Sequence, residues 1–311
     1  MKAAQISEYG KDVVRINKNV EIPDLLPGKV IVKVHAAGVN PIDWKITEGY
    51  MSQAISDNFP LTVGDDFAGT VEYVGEGVTQ YDIGDKVYGS AGIRMGGSGA
   101  IAEYLSTEPK LIAKMPEKAS DEEAAALPLT GVSAVDVIYN KIKLKKGQQI
   151  LIHGGSGGIG SMAIQIAKHL GAYVATTARK DKAQYLEKLG ADEIIDYKDE
   201  VFEEILKDYD AVFDTVGGDT YKRSFKVLKK GGVIVSMLGQ PDTELMNKYQ
   251  VNAIGQFTQT NSDSLKKLAE LFDAGAIKVN IDRFFPLDEA AEALKYQRDN
   301  SVKGKVVIEI N

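Results

Sequence analysis

From residue 149 to residue 238 the chain repeats one rhythm. Short apolar runs, Gln149–His153, Tyr173–Ala178, Glu193–Asp196, Ala211–Asp214 and Val233–Leu238, alternate with longer stretches of helical character. Strands separated by helices imply crossover connections, and crossovers imply a parallel sheet. The first 120 residues follow a different pattern. Lys2–Ile6, Lys29–Ala36, Phe67–Val74 and Lys86–Tyr88 read as strands, punctuated by Pro27-Gly28 and by Gly75-Glu76-Gly77, which predicts an irregular antiparallel β-rich unit. Ser120-Asp121-Glu122-Glu123 marks the change, because Ser and the Glu three residues on form a capping box that starts a helix running into 124–131.

The tail changes again. Ser262–Ala274 has apolar residues at 265, 268, 269, 271 and 272, a helical spacing, and is followed by Phe284-Phe285-Pro286-Leu287, an Ala-rich helix at 288–298 and a strand at Lys305–Ile310. Too little chain follows the parallel unit for a third domain, so the last stretch is expected to return to the first. That reading gives a domain 1–122 completed by 276–311, around a second at 123–275. A length of 311 residues agrees with two domains at roughly 150 residues each.

Composition narrows the chemistry. The chain has 37 Lys and Arg against 44 Asp and Glu, a net charge of −7, so it carries no basic field for nucleic acid or anionic lipid. It has no cysteine, which removes disulfides, Cys-based zinc sites, iron–sulfur ligation and thiol nucleophiles. His35, His153 and His169 are dispersed, an unpromising set for a metal site. No apolar run approaches the roughly 18 residues of a membrane span, and Met1 to Lys11 lacks a signal-peptide core, so a cytoplasmic protein or a mature organellar form is expected.

The strongest chemical signal follows the first strand of the parallel unit. His153-Gly154-Gly155-Ser156-Gly157-Gly158-Ile159-Gly160 contains Gly155-x-Gly157-x-x-Gly160 at a strand-to-helix junction, where small residues let backbone N–H groups and the helix N-terminus approach a pyrophosphate. An NAD site would carry an acidic residue about 20 positions later, on the ribose 2′-hydroxyl. Arg179 stands there instead, nineteen positions after Gly160. A cation pairs with a 2′-phosphate, so NADPH is the expected cofactor, with Thr176, Thr177, Arg179 and Lys182 as candidate phosphate contacts. The alternative is that Arg179 and Lys182 are solvated charges after a strand.

Motifs spread over nearly the whole chain resemble the zinc-independent medium-chain dehydrogenases/reductases, in their quinone oxidoreductase (zeta-crystallin-like) branch. They are Ala36–Lys45 (AAGVNPIDWK), Gly64–Gly69 (GDDFAG), Gly84–Gly89 (GDKVYG), Leu127–Gly131 (LPLTG), the glycine turn, Leu189–Asp192 (LGAD), Asp214–Gly218 (DTVGG) and Gly304–Val307 (GKVV). The resemblance implies an α/β fold with a GroES-like β-rich catalytic domain and a Rossmann doubly wound parallel-sheet domain. It also implies NADPH-dependent reduction of a small-molecule quinone or α,β-unsaturated carbonyl. Zinc-dependent relatives have metal ligands at the positions matched by Asn40, Asp65 and Ala126, so Lewis-acid alcohol oxidation is disfavoured.

Motif position further implies that Asn40, Asp43, Lys45 and Tyr50 serve catalysis. Asn40 would donate to the acceptor oxygen or to the nicotinamide ribose, Lys45 would be a cationic donor toward the acceptor, Asp43 would orient its neighbours, and Tyr50 would line the substrate mouth. A turn-forming Asn and a surface Lys are the plain alternatives. Thr130, Tyr197, Val216, Gly217, Leu238 and Gly239 join Gly155 to Gly160 on the cofactor side, and a strand near 251–259 is placed to pair across a two-fold in a homodimer. Tyr139-x-x-x-Lys143 mimics the catalytic pair of short-chain dehydrogenases, but it precedes the glycine turn and reads as part of a linking helix. A non-catalytic NADPH-binding redox sensor or scaffold is the competing function; it would keep the glycine turn and need no acceptor pocket.

Overall fold

The computed structural model describes residues 1–55 and 58–310. The chain divides into two compact units, one built from residues 1–132, 260–275 and 279–311, the other from 133–259 and 276–278.

In the first unit Val30–Val39 is the central strand. It pairs antiparallel with Asp66–Val74, with Tyr104–Thr107 and with Lys305–Glu309, and the sheet extends through Lys86–Ser90 to Ile112–Lys114 on one side and Ile281–Pro286 on the other. Among the described residues, only the pair 281–286 with 305–309 is parallel in this sheet. A smaller sheet joins Arg15–Asn17, Ala3–Ile6 and Leu61–Thr62. Nearly every side chain of Val30–Val39 is buried, because the strand is covered on both faces. Gly38 shows how closely: a Cβ there would run into the carbonyl oxygen of Ala125, so helix Asp121–Ala125 lies directly on the strand.

The capping box forms as the sequence predicts, with Glu123 N–H donating to Ser120 Oγ (3.2 Å) and Ser120 N–H to the Glu123 carboxylate (3.0 Å). The helix is shorter than expected. It stops at Ala125, and a new one starts at Pro128, which disfavours helical geometry in the residue before it.

The second unit is a six-stranded parallel sheet in the spatial order 193–196, 173–178, 149–153, 209–214, 228–236, 252–255. In chain order that is 3-2-1-4-5-6, the doubly wound arrangement, and its direction of winding reverses between the first and fourth strands. Leu151, Ala175, Val212 and Ile234 are buried in its centre, and Phe225 from the chain following helix Gly218–Ser224 packs among them. The fifth strand ends at Ser236, two residues before the expected end, since the Ser236 hydroxyl takes the N–H groups of Leu238 and Gly239 and turns the chain away. Tyr139 lies in the helical segment Asp136–Ile142, and Lys143 terminates it with φ +56°.

Helix Ser262–Asp273 falls within the first unit, whereas the sequence reading assigned 123–275 to the second. Its polar ends explain the placement. Tyr88 Oη, fully buried, donates to Leu265 O (2.6 Å), and the Asp273 carboxylate accepts from the N–H groups of Glu117 (3.1 Å) and Lys118 (3.0 Å). Tyr88→Phe is expected to cost about 1 kcal/mol of stability and to speed amide exchange in 262–273 selectively, as read by denaturant unfolding and hydrogen–deuterium exchange.

Candidate functional site

The first parallel strand delivers the chain into the turn Gly154–Gly157, and helix Gly158–His169 starts at once. A Cβ on Gly155 would run into Thr176 Oγ1, and one on Gly160 into the carbonyl oxygen of Gly154. These two glycines are therefore required by close approach. The N-cap is Gly157, which has no side chain with which to cap the helix. The first N–H groups of an α-helix lack partners within it and attract an anion. Gly155, Ser156, Gly157, Gly158, Ile159 and Gly160 thus form a cradle in which backbone donors are uncovered by side chains, a fit for the pyrophosphate of a dinucleotide.

The expected phosphate contacts beyond the turn divide into two groups. Thr176 is fully buried with its hydroxyl donating to Ile152 O (2.7 Å), and Thr177 is 4% exposed with its hydroxyl 2.9 Å from His153 Nδ1. Both hydroxyls are engaged within the sheet beneath the turn: consecutive strand residues point to opposite faces, and both faces are covered here. Arg179 does face outward, whereas the Lys182 side chain is 16% exposed. Asp181, which the sequence reading passed over, sits 3.3 Å from Arg179 Nε and 3.8 Å from Lys182 Nζ. With Arg179 and Asp181 each about half exposed (52% and 56%), that pair holds little free energy and gives way readily to a stronger anion. Tyr197 is also exposed, with Lys198 Nζ 5.5 Å from its ring centre. Val216 and Leu238 stand exposed at the ends of the fourth and fifth strands, and Gly217 and Gly239 lie beside them in the same turns.

Below the turn, His153 is completely enclosed. Its Nδ1 meets Thr177 Oγ1 and its Nε2 meets Ser224 Oγ, both at 2.9 Å, and its ring packs edge-on against Phe202. Burial pulls its pKa down to about 4, so the ring is neutral and ties two strands to helix Gly218–Ser224.

In the first unit the residues around the AAGVNPIDWK motif separate into a buried set and an outward set. Asn40 and Asp43, 0% and 1% exposed, belong to a polar cluster inside the unit. Asn40 Nδ2 donates to Asp66 Oδ2 (2.8 Å), its Oδ1 accepts from Lys305 Nζ, and its backbone N–H donates to Asp43 Oδ2 (2.7 Å). Asp66 also accepts from Leu129 N–H (3.0 Å). Asp65 accepts from Ser90 Oγ and pairs with Arg94 at 3.0 Å, both side chains less than 10% exposed. Three carboxylates therefore face two cations. Burial, then the neighbouring Asp65, holds Asp43 well above the ordinary carboxylate range, and burial raises Asp66 to about 6 against the pull of Lys305.

Asn40 accordingly presents no atom to solvent in this conformation, and donation from it to an acceptor would require the amide to leave Lys305 and Asp66. Lys45 and Tyr50 form the outward set: Lys45 Nζ lies 5.5 Å from the Trp44 ring centre, and Tyr50, 70% exposed, meets Trp44 edge-on at 6.1 Å. Thr130 is buried, its hydroxyl turned back toward Ala126 O (3.3 Å), one residue from the Leu129 contact to Asp66. Lys305 and Arg94 escaped the sequence reading of roles. Lys305 opens the strand KVVIE ahead of Val306, Val307 and Ile308, and its burial calls for a carboxylate partner. Among the described residues no group of three His, Cys, Asp or Glu side chains is arranged to hold a metal ion, and no helix is long and apolar enough to cross a membrane.

This pairing of a GroES-like β unit with a doubly wound unit defines a class, and comparison with known proteins agrees with it. Residues 26–117 match the alcohol dehydrogenase GroES-like domain, and residues 189–308 match the zinc-binding dehydrogenase family. The chain belongs to the medium-chain dehydrogenase/reductase family, in its zinc-independent quinone oxidoreductase branch, and is an oxidoreductase using a nicotinamide cofactor. It is 37% identical to a 2-methylene-furan-3-one reductase of Solanum lycopersicum, over 99% of this chain and 79% of that protein. It is 35% identical to a chloroplastic NADPH-dependent alkenal/one oxidoreductase of Arabidopsis thaliana, with the same coverage. The quinone oxidoreductase structure from Coxiella burnetii superposes with a TM-score of 0.92 at 35% identity, covering 100% of this chain and 99% of that one.

The His153 environment gives a pH signature. Its folded pKa lies below the ordinary 6.5, so its contribution to stability is complete above pH 6.5 and is lost as pH falls toward 4. Against a His153→Asn variant, the wild type is expected to lose roughly 3 kcal/mol over that interval, measured by urea unfolding at successive pH values.

Proposed function

We propose that the protein is an NADPH-dependent reductase of quinones and α,β-unsaturated carbonyl compounds, working without a metal and as a cytoplasmic homodimer. The observation that carries the cofactor choice is Arg179 at the end of the second parallel strand, exposed and paired with Asp181, where an NAD site calls for a carboxylate. Two curated relatives bear names of matching chemistry, the furanone reductase and the NADPH-dependent alkenal/one oxidoreductase.

NADPH, when bound, supplies the hydride. What the chain supplies is binding and charge. The Gly155–Gly160 cradle takes the pyrophosphate, and Arg179 with Lys182 takes the 2′-phosphate. Hydride addition to a conjugated carbon moves negative charge onto the acceptor oxygen, and a cationic donor near that oxygen stabilises it. Lys45, steadied over Trp44, is the outward cation of the AAGVNPIDWK motif and is assigned that role, with Tyr50 beside it to cover a flat acceptor. Asn40 and Asp43 hold the start of helix Pro41–Thr47, which presents Lys45. The homodimer reading rests on Asn252–Gly255, the outer strand of the parallel sheet, whose free edge a second copy would pair.

Turnover of NADPH with 9,10-phenanthrenequinone, 1,4-benzoquinone, acrolein and a long-chain 2-alkenal tests the reading; tight NADPH binding with no turnover on any of them would favour a redox sensor. Arg179→Ala is expected to weaken NADPH about tenfold or more while leaving NADH affinity unchanged, by fluorescence titration. Lys45→Met is expected to lower kcat on a good enone about a hundredfold with NADPH affinity intact, and unchanged turnover would remove Lys45 from the mechanism.

A further inference from the structure

Two fully buried polar side chains end the fourth and fifth strands of the parallel sheet, and neither has a part in the site as described. Asp214 Oδ1 accepts from the N–H groups of Val216 and Gly217, both at 3.0 Å. Its Oδ2 accepts from Ser236 Oγ at 2.6 Å. Ser236 Oγ in turn accepts from the N–H groups of Leu238 (3.2 Å) and Gly239 (2.7 Å). One carboxylate thus governs four backbone donors in two separate turns, two directly and two through a hydroxyl. The turns also touch: a Cβ on Gly217, which has φ +76°, would lie 2.8 Å from Leu238 Cβ.

These turns differ in polarity from the glycine turn. At Gly157–Gly160 the helix N-terminus faces outward uncapped, whereas at 216–217 and 238–239 the donors are consumed inside the protein. They offer a ligand little to bind a phosphate. What they expose is apolar: Val216 and Leu238 are 49% and 60% exposed on adjoining turns. In a sheet of this order a dinucleotide lies across the carboxyl ends of the strands, with one mononucleotide on each side of the reversal. Arg179 and Tyr197 put the adenosine half over the second and third strands, which leaves the fourth and fifth for the other half.

We infer that Asp214 and Ser236 are positioning residues for the nicotinamide half of the cofactor, setting Val216 and Leu238 at a fixed separation without touching the ligand. The inference rests on the NADPH reading above. It is tested by calorimetric titration of the wild type, Asp214→Asn and Ser236→Ala with NADPH and with adenosine 2′,5′-bisphosphate, which carries the adenosine and 2′-phosphate but no nicotinamide. Each variant is expected to bind NADPH about tenfold more weakly, the worth of one or two buried hydrogen bonds, while its affinity for the bisphosphate changes less than about twofold. Parallel loss of both ligands, or unchanged NADPH affinity, overturns the inference. A wild type that binds neither ligand instead refutes the NADPH reading. Should Asp214→Asn fail to fold, Ser236→Ala carries the same comparison.

Discussion

The parallel unit depends on one steric constraint: nothing larger than hydrogen fits at positions 155 and 160. With side chains excluded there, helix Gly158–His169 can begin immediately over the first strand, and its uncapped N-terminus stays directed at solvent. Thr176 is then forced to point inward beneath Gly155, which leaves Arg179, three residues on, to be the outward group at the end of the second strand.

The two units treat buried charge differently. In the parallel unit the enclosed groups are neutral His153 and an Asp214 carboxylate satisfied by backbone N–H groups and one hydroxyl, an arrangement that shapes turns. In the β-rich unit carboxylates meet cations. Buried ion pairs add little stability over apolar packing, but removing one partner leaves an uncompensated charge costing about 3–5 kcal/mol, so such clusters fix a single arrangement. Helix Pro41–Thr47 starts on that cluster, and the motif bearing Lys45 is held by it.

The rhythm of strands and helices was legible in the sequence because both units bury strands between layers, where apolar runs are long and turns are marked by glycine. The capping box at Ser120 was legible because its Ser-x-x-Glu spacing is a local pattern that the structure realises. The assignment of helix Ser262–Asp273 was not, since an amphipathic helix states which face it buries and not against what; Tyr88 and Asp273 decide that across long stretches of chain. The close packing at Gly155 and Gly160 could be read from their spacing. The engagement of the Thr176 and Thr177 hydroxyls within the sheet and the enclosure of Asn40 depend on partners 24 to 265 residues away, which no local pattern reports.

That last separation has a meaning for how the molecule is made. Lys305 arrives 265 residues after Asn40, yet it is the cation against which Asn40 and Asp66 are set. The β-rich unit is completed only when the strand Lys305–Glu309 supplies Lys305 and pairs with the edge of Val30–Val39. The parallel unit, nearly all of it contiguous from 133 to 259, has its strands and its glycine turn in hand well before then. The nascent chain therefore holds the whole segment 133–259 before the strand that completes its β-rich unit has been made.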